Sequence, residues 1–162
     1  TSMLKRFDLP ASSLVFDLTE SSVLKNQSQF YNQLARLKEA GIKVAIDDFG
    51  TSSSSITNLQ NWQVDELKLD PAFTVDIEVN PKTRGIVQAV IELAHVLELN
   101  VVAEGVETEG QRKVLVELGC DQMQGFLISR PIPEERLVIL LKNLGLRFED
   151  SGKFYVKDLK NT

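Results

Sequence analysis

Apolar positions in this chain fall into two spacings that alternate along its length. Short runs rich in Val, Ile, Leu and Phe occur at Leu14 to Leu18, Val44 to Ile46, Val64 to Leu69 and Val101 to Ala103. Such near-continuous runs predict strands covered on both faces. A weaker run follows Cys120. Between them apolar residues recur three and four positions apart: Phe30, Leu34 and Leu37; Ile86, Val87, Val90, Ile91, Ala94 and Leu97; Val114, Leu115 and Leu118; then Leu137, Leu140, Leu141 and Leu144. That spacing lines one side of a helix. Helix starts are expected at Asn80-Pro81 and Pro133-Glu134-Glu135, Thr108 with Gln111 fits a capping box, and Gly41, Gly119 and Gly145 stand where helices should end. The stretch from Ser53 to Trp62 is too short to predict a helix with the same force.

Strands alternating with helices imply a parallel sheet with helical cover, and five such units can be counted. A closed β/α barrel takes eight strands and about 250 residues, so this pattern predicts an incomplete (β/α)8 TIM-like barrel of about five units. Periodicity alone leaves an open, doubly wound five-stranded sheet as the alternative. Both architectures place a site at the carboxyl ends of the strands. The chain has polar residues at those points: Asp17 to Glu20, Asp47-Asp48, Lys68 and Asp70, Glu104, and Gln124. One acid at a strand end is an ordinary cap, whereas a series at successive strand ends is how a barrel assembles a site.

Composition narrows the chemistry. With 162 residues, 43% of them hydrophobic, the chain can bury a real core. No apolar run approaches the ~18 residues of a membrane span, and no signal-peptide pattern opens the chain. Its single cysteine, Cys120, excludes an internal disulfide, fits a reducing cytoplasm and reads as a small core hydrophobe. A net charge of −5 argues against a nucleic-acid polymer as partner, but not against a small phosphate ligand held through cations. Asp17, Asp47, Asp48 and Glu104 offer only hard oxygen donors, which favours Mg²⁺ or Mn²⁺ over Zn²⁺. Neighbouring strand residues point to opposite faces, so Asp47 and Asp48 can share a site only where the strand ends, and Phe49-Gly50 is expected to end it. Lys68 adds a cation able to hold a phosphate oxygen or an attacking water. Acidic pairs with one lysine suit two-metal phosphodiester hydrolysis.

The segments FDLTES, VAIDDFGTSSSS, VDELKLD, VVAEGVET, LGCDQMQGF and SRPIP, in this order, resemble those of the EAL domain family, from about Leu14 to Pro133. The resemblance is to the C-terminal two-thirds of the domain. It implies a metal-dependent hydrolase that opens the bacterial second messenger cyclic di-GMP to linear pGpG, built on a modified (β/α)8 barrel with a two-metal Mg²⁺ or Mn²⁺ site. It also implies homo-oligomers formed through barrel helices. Carried over by position, Asp17, Asp47, Asp48 and Glu104 are metal ligands, with Asp47 bridging, and Lys68, Glu104 and Asp47 form the catalytic set. Glu107, Gln124 and Asp70 support the site or substrate, and Glu20 steadies the loop after Asp48-Phe49-Gly50.

Three departures bear on activity. The EAL tripeptide and the asparagine ligand expected after it are absent from this chain, Asp17 stands where the family has a glutamate, and Ser52-Ser53 replace a glycine and an aromatic residue. The expectation is therefore a cyclic di-GMP phosphodiesterase domain, with this chain by itself inactive and associating through its open edge. The alternative is a degenerate EAL domain serving as a cyclic di-GMP receptor or signalling scaffold. Residues 1–145 are read as the EAL part and 146–162 as an extension, within a cytoplasmic protein whose other signalling domains lie elsewhere. His95 and Trp62 are read as structural, and the tail after Arg147 as a short hairpin without chemistry.

Overall fold

The computed structural model describes residues 4, 6–19, 27–50, 56–143, 147–148 and 154–155. They fall into two compact units, residues 1–128 and 129–162. In the first, strand β1 (Val15–Thr19) is followed by helix α1 (Gln27–Glu39), β2 (Lys43–Phe49), α2 (Ile56–Asn61), β3 (Glu66–Leu69), α3 (Pro81–Val96), β4 (Asn100–Ala103), α4 (Glu109–Glu117) and β5 (Gln122–Met123). The short apolar stretch Ile56–Asn61 does form a helix, and the run after Cys120 yields a strand of two residues. In the second unit α5 (Glu134–Asn143) precedes an antiparallel pair, β6 (Arg147–Phe148) with β7 (Phe154–Tyr155), as the hairpin reading expects. Gly145 and the expected turn at Ser151-Gly152 lie outside the described residues.

The five strands of the first unit pair in parallel in the order β1-β2-β3-β4-β5. A doubly wound sheet reverses its order at a switch point. No reversal occurs here, so every right-handed crossover advances the same way and lays its helix on the same face. This is barrel winding, and it removes the doubly wound alternative. Val44 and Ile46, Leu67 and Leu69, and Val101 and Ala103 form one face, packed on Phe30 and Leu34 of α1, Leu59 of α2, Val87, Ile91 and Ala94 of α3, and Val114 and Leu115 of α4. Each fully buried side chain of this kind, Leu67 for example, contributes about 2 kcal/mol.

Helix ends follow their chemistry. Asn80 caps α3 by accepting from the Lys82 and Thr83 amides, and Thr108 with Gln111 makes a reciprocal capping box on α4. Gly41 and Gly119 end α1 and α4 in the left-handed conformation. At the amino ends of the strands two carboxylates fix register: Asp65 accepts from the Val44 amide and Asp121 from the Val101 amide, both at 2.8 Å.

Strand β1 departs from expectation. Val15 and Phe16 are 42% and 46% exposed, although the run predicts cover on both faces. The cause is position: β1 is the edge of the sheet, and no described strand pairs with its outer side.

Candidate active site

The face of the sheet opposite the helices carries the charges. Lys68, on β3, points there beside Ala45 and Val102, and three carboxylates surround its ammonium. Nζ lies 2.6 Å from Glu104 Oε1, 2.9 Å from Asp17 Oδ2 and 3.3 Å from Asp47 Oδ1. Register explains the convergence. Lys68 pairs with Val102, two residues before Glu104, and Asp17 pairs with Ala45, two residues before Asp47. Same-face positions two apart on neighbouring strands thus bring residues from four segments of chain to one point.

Asp47 reaches the cluster at the end of β2, beside an irregularity the sequence did not predict. Strand β2 ends at Phe49, as the Phe49-Gly50 pair predicts. Between the pairs Ile46 with Leu67 and Phe49 with Leu69, two residues of β2 stand against the single Lys68 of β3. This is a β-bulge, and Asp48 occupies it with a left-handed φ of 56°. A bulge re-aims the side chain at the extra residue, so adjacent aspartates are freed from strict alternation. The strained backbone at Asp48 is the kind that persists where surrounding structure holds it for function.

Burial alone acts to lower the Lys68 pKa, but the hydrogen bonds and charges of Glu104 and Asp17 outweigh it and hold the ammonium above the usual lysine range. Lys68 is therefore a fixed cation near neutral pH, suited to holding an anion and not to taking a proton. Asp47 Oδ1 is buried and accepts no hydrogen bond; its 3.3 Å approach to Lys68 is too far off-axis to be one. A buried carboxylate oxygen without a hydrogen bond is costly unless a cation meets it, and the Lys68 ammonium is the cation beside it. The donors fit a divalent cation in type, all being hard oxygens. Among the described residues, however, no group of three or more His, Cys, Asp or Glu side chains is arranged to hold a metal ion by itself. What is present is an incomplete shell with the Lys68 ammonium standing in its middle.

Beyond Glu104 a cleft of about 210 Å³ opens, lined by Glu104, Glu107 and Gln124 with Pro71, Gly105, Gly125 and Phe126. Ligand pockets usually run from ~300 to ~1,000 Å³, so this space is smaller than a typical ligand pocket. Gln124 is set by the backbone: its amide donates to Ala103 O and its carbonyl accepts from the Val106 amide. The next residue must be glycine, since a Cβ on Gly125 would lie 2.1 Å from Val106 O.

The structure thus brings Asp17, Asp47, Lys68 and Glu104 together, and sets Glu107 and Gln124 beside Glu104. Asp70 is engaged elsewhere, its side chain accepting from the Ala72 amide to cap a 3-10 turn over Pro71–Phe73. Glu20, Ser52 and Ser53 lie outside the described residues. Trp62 is core, edge-on to Phe30, and His95 pairs with Asp121 at the opposite end of the strands from Lys68. Cys120 packs against the core, where burial pushes its thiol pKa up and leaves it inert. Sequence reasoning missed Pro71 and Phe126 as cleft walls; the Gln124-Gly125-Phe126 run was the signal available for Phe126.

A sequentially ordered parallel sheet under one layer of helices, with an acid and lysine cluster where the strands end, defines an incomplete β/α barrel. The chain belongs to the EAL family, whose domain model matches residues 1–131. It is 36% identical over 138 residues to the cyclic di-GMP phosphodiesterase RocR of Pseudomonas aeruginosa, covering 85% of this chain and 35% of that protein. Among solved structures it is similar to the EAL domain of Mycobacterium smegmatis DcpA, with 41% identity, a TM-score of 0.81, and 88% and 64% of the two chains covered. It is also similar to a manganese and cy-diGMP complex of Klebsiella pneumoniae BlrP1, with 36% identity, a TM-score of 0.75, and 80% and 33% covered. The chain spans 17% of the length of one curated relative and 35% of another. Among the described residues no helix is long and apolar enough to cross a membrane.

Proposed function

We propose that this chain forms the carboxyl-terminal part of a cyclic di-GMP phosphodiesterase domain, acting in the cytoplasm within a protein that carries further signalling domains. The reading rests on one observation above all: Asp47 and Asp48 stand against Lys68 across a bulge, and Asp47 Oδ1 is buried without a hydrogen bond. RocR and BlrP1 support the substrate, the first by its name and the second by its bound cy-diGMP and manganese.

In this reading Asp17, Asp47, Asp48 and Glu104 would hold Mg²⁺ or Mn²⁺, and a metal pair would supply charge stabilisation at the entering and leaving oxygens of phosphodiester hydrolysis. The protein's own groups do the rest. Lys68, fixed as a cation by its carboxylates, orients the entering water or a phosphate oxygen. Glu107 and Gln124 present an acceptor and an amide to the part of the dinucleotide in the cleft, against the apolar walls of Pro71 and Phe126. Water adds to phosphorus, the bond to the 3′ oxygen breaks, and a proton passes to that oxygen, giving linear pGpG. Alone, the chain binds and turns over little, because its donor shell is incomplete.

The test uses the protein at its full natural length, with product followed by chromatography in the presence of Mn²⁺. Asp47→Asn is expected to lower turnover by at least ~100-fold, since the residue loses charge where it must meet a cation. Binding of cyclic di-GMP without hydrolysis by the unmutated protein would retire the catalytic reading in favour of a receptor.

A further inference from the structure

The segment after β3, residues 71–80, contributes one cleft wall through Pro71, yet its strongest ties are to the backbone that carries Glu104. Thr74 is fully buried. Its hydroxyl lies 2.8 Å from Glu104 O and 2.9 Å from Pro71 O, with Gly105 O at 3.4 Å. One hydroxyl has one proton to give. The Pro71 carbonyl is also served by the Thr74 and Val75 amides, so the Thr74 proton is most needed at Glu104 O. Directly after it, Gly105 takes a left-handed φ of 67°, with Pro71 packed so closely that a Cβ would come within 2.7 Å of the ring. Farther along, Thr108, which caps α4, donates its hydroxyl to Glu78 of the same segment. The backbone from Glu104 to Thr108 is thus clamped at three points by residues 71–78.

We propose that Thr74 is a positioning residue for Glu104, its hydroxyl fixing the Glu104 carbonyl and thereby the direction in which the carboxylate meets Lys68. The proposal rests on the phosphodiesterase reading only in what Glu104 is positioned for. The physical argument is local. Thr74→Val keeps shape and volume but leaves the Glu104 carbonyl buried without this donor, which frees the peptide from Glu104 to Gly105 to turn in search of another. A carboxylate set 2.6 Å from its partner weakens that contact when the backbone carrying it loosens.

Thr74→Val and Thr74→Ser are compared with the parent at full natural length by amide hydrogen exchange and by Mn²⁺ titration calorimetry. In Thr74→Val, exchange across residues 104–108 should rise roughly tenfold, the scale of one buried hydrogen bond, and Mn²⁺ affinity should fall by a similar factor. Exchange across β2 should stay unchanged, and Thr74→Ser should restore both values. The proposal is overturned if residues 104–108 exchange as in the parent, if β2 loosens equally, or if Thr74→Val binds Mn²⁺ as tightly as the parent that binds it. A parent that binds no Mn²⁺, with the exchange pattern as expected, sinks the phosphodiesterase reading and supports the positioning role.

Discussion

Replacing Lys68 with methionine keeps the apolar stem but deletes the ammonium 2.6 Å from Glu104, 2.9 Å from Asp17 and 3.3 Å from Asp47. At an effective dielectric of about 20, each pair attracts by roughly 5 to 6 kcal/mol, a gross value from which desolvation must be subtracted. The lysine side chain is only 12% exposed, so that subtraction is large, and Asp17 at 47% exposure is mostly screened by water. What remains is the cost of leaving the more buried Asp47 and Glu104 carboxylates uncompensated, about 3 kcal/mol, at the low end of what breaking a buried pair costs. For a chain of this size that corresponds to a melting temperature lower by roughly 6 to 12 °C, measured by circular dichroism in a chelator at low ionic strength. Divalent cation should then stabilise the variant more than the parent, because three carboxylates without their ammonium attract it more strongly; a concentration of 100 times Kd adds about 2.7 kcal/mol. Melting within about 2 °C of the parent, or equal shifts on adding Mn²⁺, would refute the view that Lys68 neutralises this cluster.

Gly125→Ala places a methyl against Val106 backbone atoms; overpacking of this kind costs about 1 to 3 kcal/mol and should displace Gln124, lowering cyclic di-GMP affinity in calorimetry, whereas unchanged affinity would separate Gln124 from the ligand. Burial acts to raise the Asp121 pKa, but the Val101 amide and His95 lower it on balance. Its contribution to stability is therefore complete above the unfolded value of about 3.9 and is lost as pH falls through the lower folded value. Urea unfolding of Asp121→Asn should lack that part of the acid loss, and identical pH profiles for parent and variant would count against it. The 162-residue chain, with Val15 and Phe16 exposed on an edge strand, should self-associate at micromolar concentration; a stable monomer in sedimentation would contradict this.

The sequence by itself determined which elements form and which residues carry charge at their ends, because helix and strand periods, caps and strand-end acids are local properties of the chain. The capping box at Thr108 and Gln111 and the left-handed glycines at 41 and 119 were legible for that reason. Tertiary structure alone decided three matters. The sheet's sequential order, which separates a barrel from a doubly wound fold, depends on which strands pair across the molecule. The exposure of β1 depends on its lying at the sheet edge, and a hydrophobic run looks the same at an edge as in the middle. Asp47 meets Lys68 beside a bulge, occupied by Asp48, that the register between β2 and β3 defines. Register is a relation between segments some twenty residues apart, and no local pattern of apolar and polar residues encodes where one extra residue will be accommodated.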